Sequence, residues 1–412
     1  MTNELSKSKY FFLILILGTL TALGPFSIDM YLPGFPAIGK DLGVDPTRVA
    51  LSLSSFFIGI SAGQLLYGPL LDRFGRKKPL FIGLVLYVIS SIGCMYVSSL
   101  NGLIILRFIQ AIGSCAAAVA SVAMVRDLFP VKDNAKVFAL LMLVVGTSPM
   151  IAPTVGSYVT SAFSWHAVFL VLGVMGALIL IATILWLPES YKPDKSMSLK
   201  PGPIISNFLS VVSEPQFYTY TFAGAVSFSG LFAYVSASPQ VFMDIYKLSD
   251  KAYGWIFAGL SVGLIGSSQV NSLLLKRFSS QQIVPVALLC QTITGLVFIV
   301  CAWNNFLSLP GIIVLLFIYL CCLGFINPNT TALSLAPFSK NAGSASSLMG
   351  ATQMGIGALA STVVSLYNTH TATPMAITMC GTSLLALFIL LVCRRNIKTA
   401  VAAAPGTATV AH

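Results

Sequence analysis

The sequence predicts an all-α integral membrane protein of twelve transmembrane helices, arranged as two parallel six-helix halves. Three observations carry that expectation. Only 8% of the 412 residues are charged, 23 basic and 12 acidic, while 56% are hydrophobic; a soluble domain carries about 25% charged residues. The charges fall in clusters separated by apolar stretches long enough to cross a bilayer, and those clusters alternate between a strongly basic and a weakly basic side. A segment of the first half also recurs in the second at an offset of 204 residues. A water-soluble enzyme is excluded on composition, as is a disordered chain, which needs low hydrophobicity and high charge.

A helical crossing takes about 20 apolar residues, because no other open structure satisfies its backbone in hydrocarbon. Residues 10–28, 49–71, 215–243 and 252–275 are each one crossing. The stretch 79–125 holds a single charge, Arg107, and a polar break at Ser98-Ser99 and Asn101-Gly102, so it forms two. Residues 137–188, 278–339 and 341–393 are charge-free for 52, 62 and 53 residues and fold into two crossings each. Their breaks lie near Ser164-Trp165, at Asn304-Asn305, and between Asn368 and Thr373. The basic start and apolar run of residues 7–25 would suit a signal peptide, but Asp29, Pro33 and Pro36 follow where a small-residue cleavage site belongs, so the span is read as retained.

With the N-terminus inside, 18 basic residues fall on the cytoplasmic side and four, Lys40, Arg48, Lys247 and Lys251, on the outer side. That bias places both termini in the cytoplasm. It also accounts for the net charge of +11 without nucleic acid. The expected organisation is a half over 1–189, a linker over 190–214, a second half over 215–395 and a cytoplasmic tail over 396–412. The recurring segment pairs Gly59 with Gly263, and Leu70, Leu71, Arg73 and Phe74 with Leu274, Leu275, Arg277 and Phe278. Two parallel halves describe a transporter with its site between them.

Eight cysteines sit inside apolar runs without a C-x-x-C pair, and three histidines are scattered, so neither a metal site nor a disulfide framework is expected. Asp29 is the one acid inside an expected span. A carboxylate at the bilayer centre costs roughly 2.5–3.5 kcal/mol, so it marks function, here proton coupling. Gly18, Thr21, Ala22, Pro25 and Asp29 share one small, polar face of span 1. Arg107 is the one intramembrane cation, and Gln110, Ala111, Ser114, Ala118 and Ser121 continue its face along span 4. A guanidinium keeps its proton, so Arg107 can stabilise an ionised acid but cannot shuttle. In span 5, Pro149 and Pro153 share a face with Gly146 and Gly156, which should bend the helix beside the cavity. Phe228 and Phe232, one turn apart in span 7, suit an apolar wall for a ligand. Gly343, Ser346, Gly350, Met354 and Gly357 read as a packing stripe in span 11. Between spans 2 and 3, Gly68, Asp72, Arg73, Gly75 and Arg76 form a tight charged turn. Its Asp72 should dock on a helix N-terminus or an arginine, with Arg126 as the expected partner.

These residues resemble the major facilitator superfamily. The turn 68–78 is similar to its G-x-L-a-D-R-x-G-R-K-x signature, with Pro69 as a departure. Residues 107–113 resemble its R-x-x-Q-G-x-G element, with Ala111 in place of the first glycine. Residues 146–157 resemble the antiporter element G-x-x-x-G-P-x-x-G-G, with Ala152-Pro153 and Gly156-Ser157 in the Gly-Pro and Gly-Gly positions. Residues 27–33, 227–232 and 342–348 narrow the resemblance to the bicyclomycin-resistance (Bcr/CflA) type. The resemblance covers about 10–393. It implies a monomeric, proton-driven drug exporter of the bacterial inner membrane, with no cofactor, and with Asp29 and Arg107 at the drug cavity. An exporter of an endogenous metabolite is the nearest alternative. A passive channel has no need of the titrating acid, and no span carries the clusters a membrane enzyme would need. No nucleotide-binding loop is present, which leaves the proton gradient as the energy source.

Overall fold

The computed structural model describes residues 7–129, 131–194, 201–304, 306–338, 342–367 and 371–397. Lys195, Lys200, Lys340, Lys398, Asn305, Asn368 and most of the expected tail lie outside the described residues. Among the described residues the chain is helical throughout. The helices are α1 (Lys7–Asp29), α2 (Phe35–Asp41), α3 (Pro46–Phe74), α4 (Lys77–Met95), α5 (Leu100–Leu128), α6 (Val131–Ala162) and α7 (Trp165–Trp186). There follow α8 (Pro201–Val212), α9 (Pro215–Pro239), α10 (Asp250–Leu274), α11 (Ser280–Trp303), α12 (Leu309–Leu335), α13 (Ala342–Leu366) and α14 (Thr373–Cys393). Twelve segments, all but α8 and the short α2, are long and apolar enough to span a membrane.

The expected breaks have a chemical basis at the helix starts. Ser99 accepts from the Gly102 amide at 3.2 Å to open α5, and Ser308 accepts from Gly311 at 3.4 Å to open α12. Asp45 accepts from Thr47 at 2.9 Å ahead of Pro46, and opens α3. Ser279 and Gln282 form a reciprocal capping box at α11. Gly75 ends α3 with φ +83°, a conformation only glycine adopts without strain.

Two helices were not expected. The 190–214 linker contains α8, whose Ile204, Ile205, Phe208, Leu209, Val211 and Val212 recur at helical spacing. The loop after span 1 contains a 3-10 turn (Leu32–Gly34) and α2, each started by a proline at its first turn.

In the first half, α1 packs on α5, α6 and α7, while α4 lies against α5 and α7. In the second, α9 packs on α12, α13 and α14, and α11 on α12 and α14. The halves meet along two helix pairs, α3 with α13 and α6 with α10. One end of the bundle carries the chain's first helical residues, the 74–77 turn and α8, and is called the basic end below. At the opposite, far end the 3-10 turn touches α9 and α10, and α2 touches the π-helical turn Gln240–Ile245. The bundle is therefore closed across its halves at the far end.

Candidate functional site

Asp29 is the last residue of α1, at the far-end closure. It is 5% exposed, and among the described residues its carboxyl has no hydrogen bond or ion pair. Close packing holds it there. A side chain at Gly156 of α6 would collide with the Met30 carbonyl, so only glycine lets α6 lie against the end of α1. On the same stretch of α6, the backbone of Pro153 and Thr154 abuts Gly254 of α10, in the other half. The proline-glycine stretch of span 5 thus touches both the Asp29 turn and the opposing half. Pro153 is buried and Pro149 half-buried within a helix that runs without a break. Nearer the basic end, Thr21 donates to the Leu17 carbonyl at 2.8 Å and meets Ser121 of α5 at 2.9 Å, while Pro25 is half-buried.

Arg107 is fully buried inside the first half. Its guanidinium donates to the Ser27 carbonyl at 2.8 Å and to Gln110 at 2.5 Å. It lies 4.1 Å and 4.2 Å from the ring centroids of Phe56 and Tyr31, with Phe169 at 5.8 Å, a cage suited to a cation. Among the described residues it has no carboxylate partner, so Arg107 orients the end of α1 rather than pairing with Asp29. Gln110 and Ala111 do not form a cavity wall either. Gln110 donates to Ser91 of α4 at 2.7 Å, and Ala111 lies against Gly59 of α3. Ser114 is buried and donates to the Ala111 carbonyl at 3.0 Å. Helical spacing correctly joined these residues on one face. It could not say that the face meets α1, α3 and α4.

The second half contributes partners that no local pattern announced. Ser361 of α13 lies 2.7 Å from Ser54 of α3 and 2.6 Å from Ser236 of α9, joining the halves through three hydroxyls. Phe232 packs on Phe57 of α3 at 4.3 Å between centroids and on Phe228 at 5.4 Å. Phe232 is thereby a contact between halves, with half-buried Phe228 behind it. The 3-10 turn that follows Asp29 touches α9 and α10, the helices that carry Tyr234 and Tyr253.

At the basic end, Arg76 pairs with Asp72 at 2.6 Å and with Asp127 at 2.8 Å, and sits 4.3 Å from the Tyr191 ring centroid. Burial opposes its charge, but the bonds to Asp127 and Asp72 outweigh that and hold it above the ordinary guanidinium value. The partner of Asp72 is therefore Arg76, not Arg126. Asp127 bonds Arg76 of the charged turn, and Arg126, one residue earlier and about 100° around the helix, lines a cavity together with Asp72, Arg76 and Asp127. Glu189 accepts from the amides of Arg76 and Lys77 at 2.8 and 3.1 Å and caps α4. Gly75 packs against Glu189, Gly68 lies near Ser347 of α13, and Arg73 lies over the Phe74 ring. The cavity, about 550 Å³, separates the halves here and is bordered by α3, α5, α8 and α13. The molecule thus shields a carboxyl at its closed far end and keeps space between the halves at the other. No His, Cys, Asp or Glu cluster among the described residues could hold a metal ion.

Comparison with known proteins follows the same lines. A family model described as the Major Facilitator Superfamily matches residues 17–362. The chain is 34% identical over 402 residues to a bicyclomycin resistance protein homolog of Haemophilus influenzae, covering 95% of this chain and 98% of that one. It is 27% identical to a chloramphenicol resistance protein of Pseudomonas aeruginosa, over 88% and 86% of the two chains. Its fold is similar to the crystal structure of a D-xylose-proton symporter, with a TM-score of 0.71 at 16% identity over 96% of this chain and 99% of that one.

Proposed function

The chain belongs to the Major Facilitator Superfamily, and on that premise we propose that it exports small uncharged drugs, of the bicyclomycin and phenicol kind, across the bacterial inner membrane in exchange for protons. The observation that carries this reading is Asp29, a carboxyl buried at the contact between halves with no cation among the described residues to neutralise it. An unpaired charge in such a place is costly, so the far end closes over the protonated acid. Drug enters through the space at the basic end, which the excess of Lys and Arg assigns to the cytoplasm. Drug binding releases the Asp29 proton to the cytoplasm, and when the halves rock about α3–α13 and α6–α10 the far end opens, drug leaves and Asp29 takes a proton from the outer water.

Arg107 holds the Ser27 carbonyl, and Gly156 receives Met30, so the acid keeps its position through the cycle. The gradient supplies about 2.3 kcal/mol per charge per 100 mV and about 1.4 kcal/mol per pH unit. The protein works as a monomer, its site lying between its own halves.

The test uses purified protein in proteoliposomes carrying an internal pH dye. Chloramphenicol or bicyclomycin added against an imposed pH gradient should drive counter-movement of protons, and Asp29→Asn should abolish it. Accumulation of either drug that ignores the gradient would overturn the reading.

A further inference from the structure

Five tyrosines are fully buried: Tyr31, Tyr87, Tyr234, Tyr253 and Tyr319. Four of the hydroxyls are satisfied. Tyr31 meets Ser52 at 3.3 Å, Tyr87 meets Ser27 at 2.7 Å, Tyr253 meets Ser238 at 2.9 Å, and Tyr319 donates to the Met379 carbonyl at 2.8 Å. The Tyr234 hydroxyl alone among them has no partner in the described residues. Its ring is nonetheless fixed, stacked on Phe257 at 5.5 Å and 26°, and Phe257 in turn rests on Tyr253 at 6.0 Å. A buried polar group left unmade is unfavourable, and native structures leave few of them.

The unused donor and the unused carboxyl sit on elements that meet at the closed far end, where the 3-10 turn after Asp29 touches α9, and the two belong to opposite halves. Of the other polar groups at this end, the Thr160 hydroxyl of α6, beside Gly34, also lacks a partner among the described residues, and those that follow are committed. Arg107 of α5 is held by Ser27 and Gln110, Tyr31 by Ser52 with the Arg107 cation over its ring, and Tyr253 of α10 by Ser238. From α6 the approach is made by Gly156 and by Ser157, whose hydroxyl donates to the Thr154 carbonyl at 2.7 Å. From α7, Phe169 packs on the Tyr31 ring at 5.8 Å between centroids.

We propose that Tyr234 is a positioning residue for proton coupling, its hydroxyl being the hydrogen-bond donor reserved for Asp29 when that acid gives up its proton. A neutral carboxyl makes no demand on the donor, and both groups rest unbonded while the far end is closed. Loss of the proton creates an anion whose uncommitted donor sits on the other half. Deprotonation therefore pulls on α9, and through Phe257 on α10, and the protonation state of one half reaches the packing of the other. This rests on the exchange reading above and adds to it the residue by which the second half senses the first.

The experiment measures chloramphenicol binding to the purified full chain from pH 5 to 9, together with drug-driven proton release in proteoliposomes. Tyr234→Phe keeps the stacked ring and removes only the donor. The ionised acid loses its support, so the pH midpoint of binding should move up by about one unit, roughly a fivefold weaker affinity at the wild-type midpoint and tenfold well below it. Tyr253→Phe, whose hydroxyl is already engaged, should leave the midpoint in place. In an Asp29→Asn background Tyr234→Phe should change nothing further. Should Tyr234→Phe fold poorly, Phe257→Leu frees the same ring without touching the hydroxyl and should move the midpoint in the same direction. An unmoved midpoint in Tyr234→Phe, an equal shift in Tyr253→Phe, or a shift that persists with Asp29→Asn would each overturn the proposal. The wild-type trace separates the two readings. Wild-type exchange with no Tyr234 effect removes this inference alone, whereas absence of wild-type exchange removes both.

Discussion

In the first half Gly59 lets α3 close on Ala111 and the Phe108 carbonyl of α5; in the second, Gly263 lets α10 close on Phe317 and Cys321 of α12. Ser27 of α1 meets Tyr87 of α4 at 2.7 Å, and Ser227 of α9 donates to Gln291 of α11 at 2.7 Å. The packing plan is thus used twice, and the chemistry departs from it. Beside the Ser27 contact the first half buries Arg107 in an aromatic cage and ends α1 on Asp29. The second half answers with neutral groups, Gln291, the Asn329–Asn271 pair and serine hydroxyls, and α12 carries no charge along its length. One copy of the plan is charged, at Arg107 and Asp29, and the other is neutral where it closes against it.

The largest expected effect concerns the contact that seats the acid. Gly156→Leu would drive a side chain into the Met30 carbonyl, which the fixed backbone of α1 cannot yield. Overpacking of that kind costs about 3 kcal/mol or more, and thermal unfolding in detergent should show it. Gly259→Leu, on an open face of α10 in the second half, should stay within about 0.5 kcal/mol.

The buried polar clusters test the asymmetry itself. Arg107→Met strands the Ser27 carbonyl and Gln110 and loses the aromatic cage, and should cost about 3 kcal/mol. Gln291→Leu in the second half removes one neutral contact and should cost about 1 kcal/mol, with the pH profile of transport unchanged. Equal costs, or a pH shift from Gln291→Leu, would break the comparison. The smallest effect is expected at the basic end. Asp72→Asn leaves Arg76 its bond to Asp127, so transport should fall only a few-fold while drug affinity holds within about twofold. The double substitution with Asp127→Asn should exceed the sum of the singles, because both acids share one guanidinium.

Much of this architecture could be read from the sequence because its determinants are local. Charge-free length gave the spans, short polar runs of Ser, Asn and Gly gave the breaks, and the Gly59/Gly263 match located a real packing equivalence. Asp29 stood out for a solvation reason that needs no tertiary structure. The 3–4 spacing of Ile204, Phe208 and Val211 was present too, but the polar run around it hid the helix. What local pattern could not supply was which element each polar face would meet. Gln110 found Ser91 and Arg107 found Ser27, so a stripe that suggested a cavity wall became the inside of a half. The contacts Ser54–Ser361 and Phe57–Phe232 join residues far apart in the chain and of ordinary type for a span, so nothing nearby marked them.

The central claim, that Asp29 in the charged half is the proton carrier, is tested most directly by moving a neutral drug uphill. Wild-type protein in proteoliposomes should accumulate chloramphenicol against its concentration gradient when a pH gradient is imposed, and collapse of that gradient should stop it. Asp29→Asn, a permanent mimic of the protonated acid, should bind the drug more weakly and without pH dependence and equilibrate it at most, with no uphill movement and no proton counterflow. If Asp29→Asn still pumps the neutral drug uphill on a proton gradient, the carrier lies elsewhere and the account is contradicted.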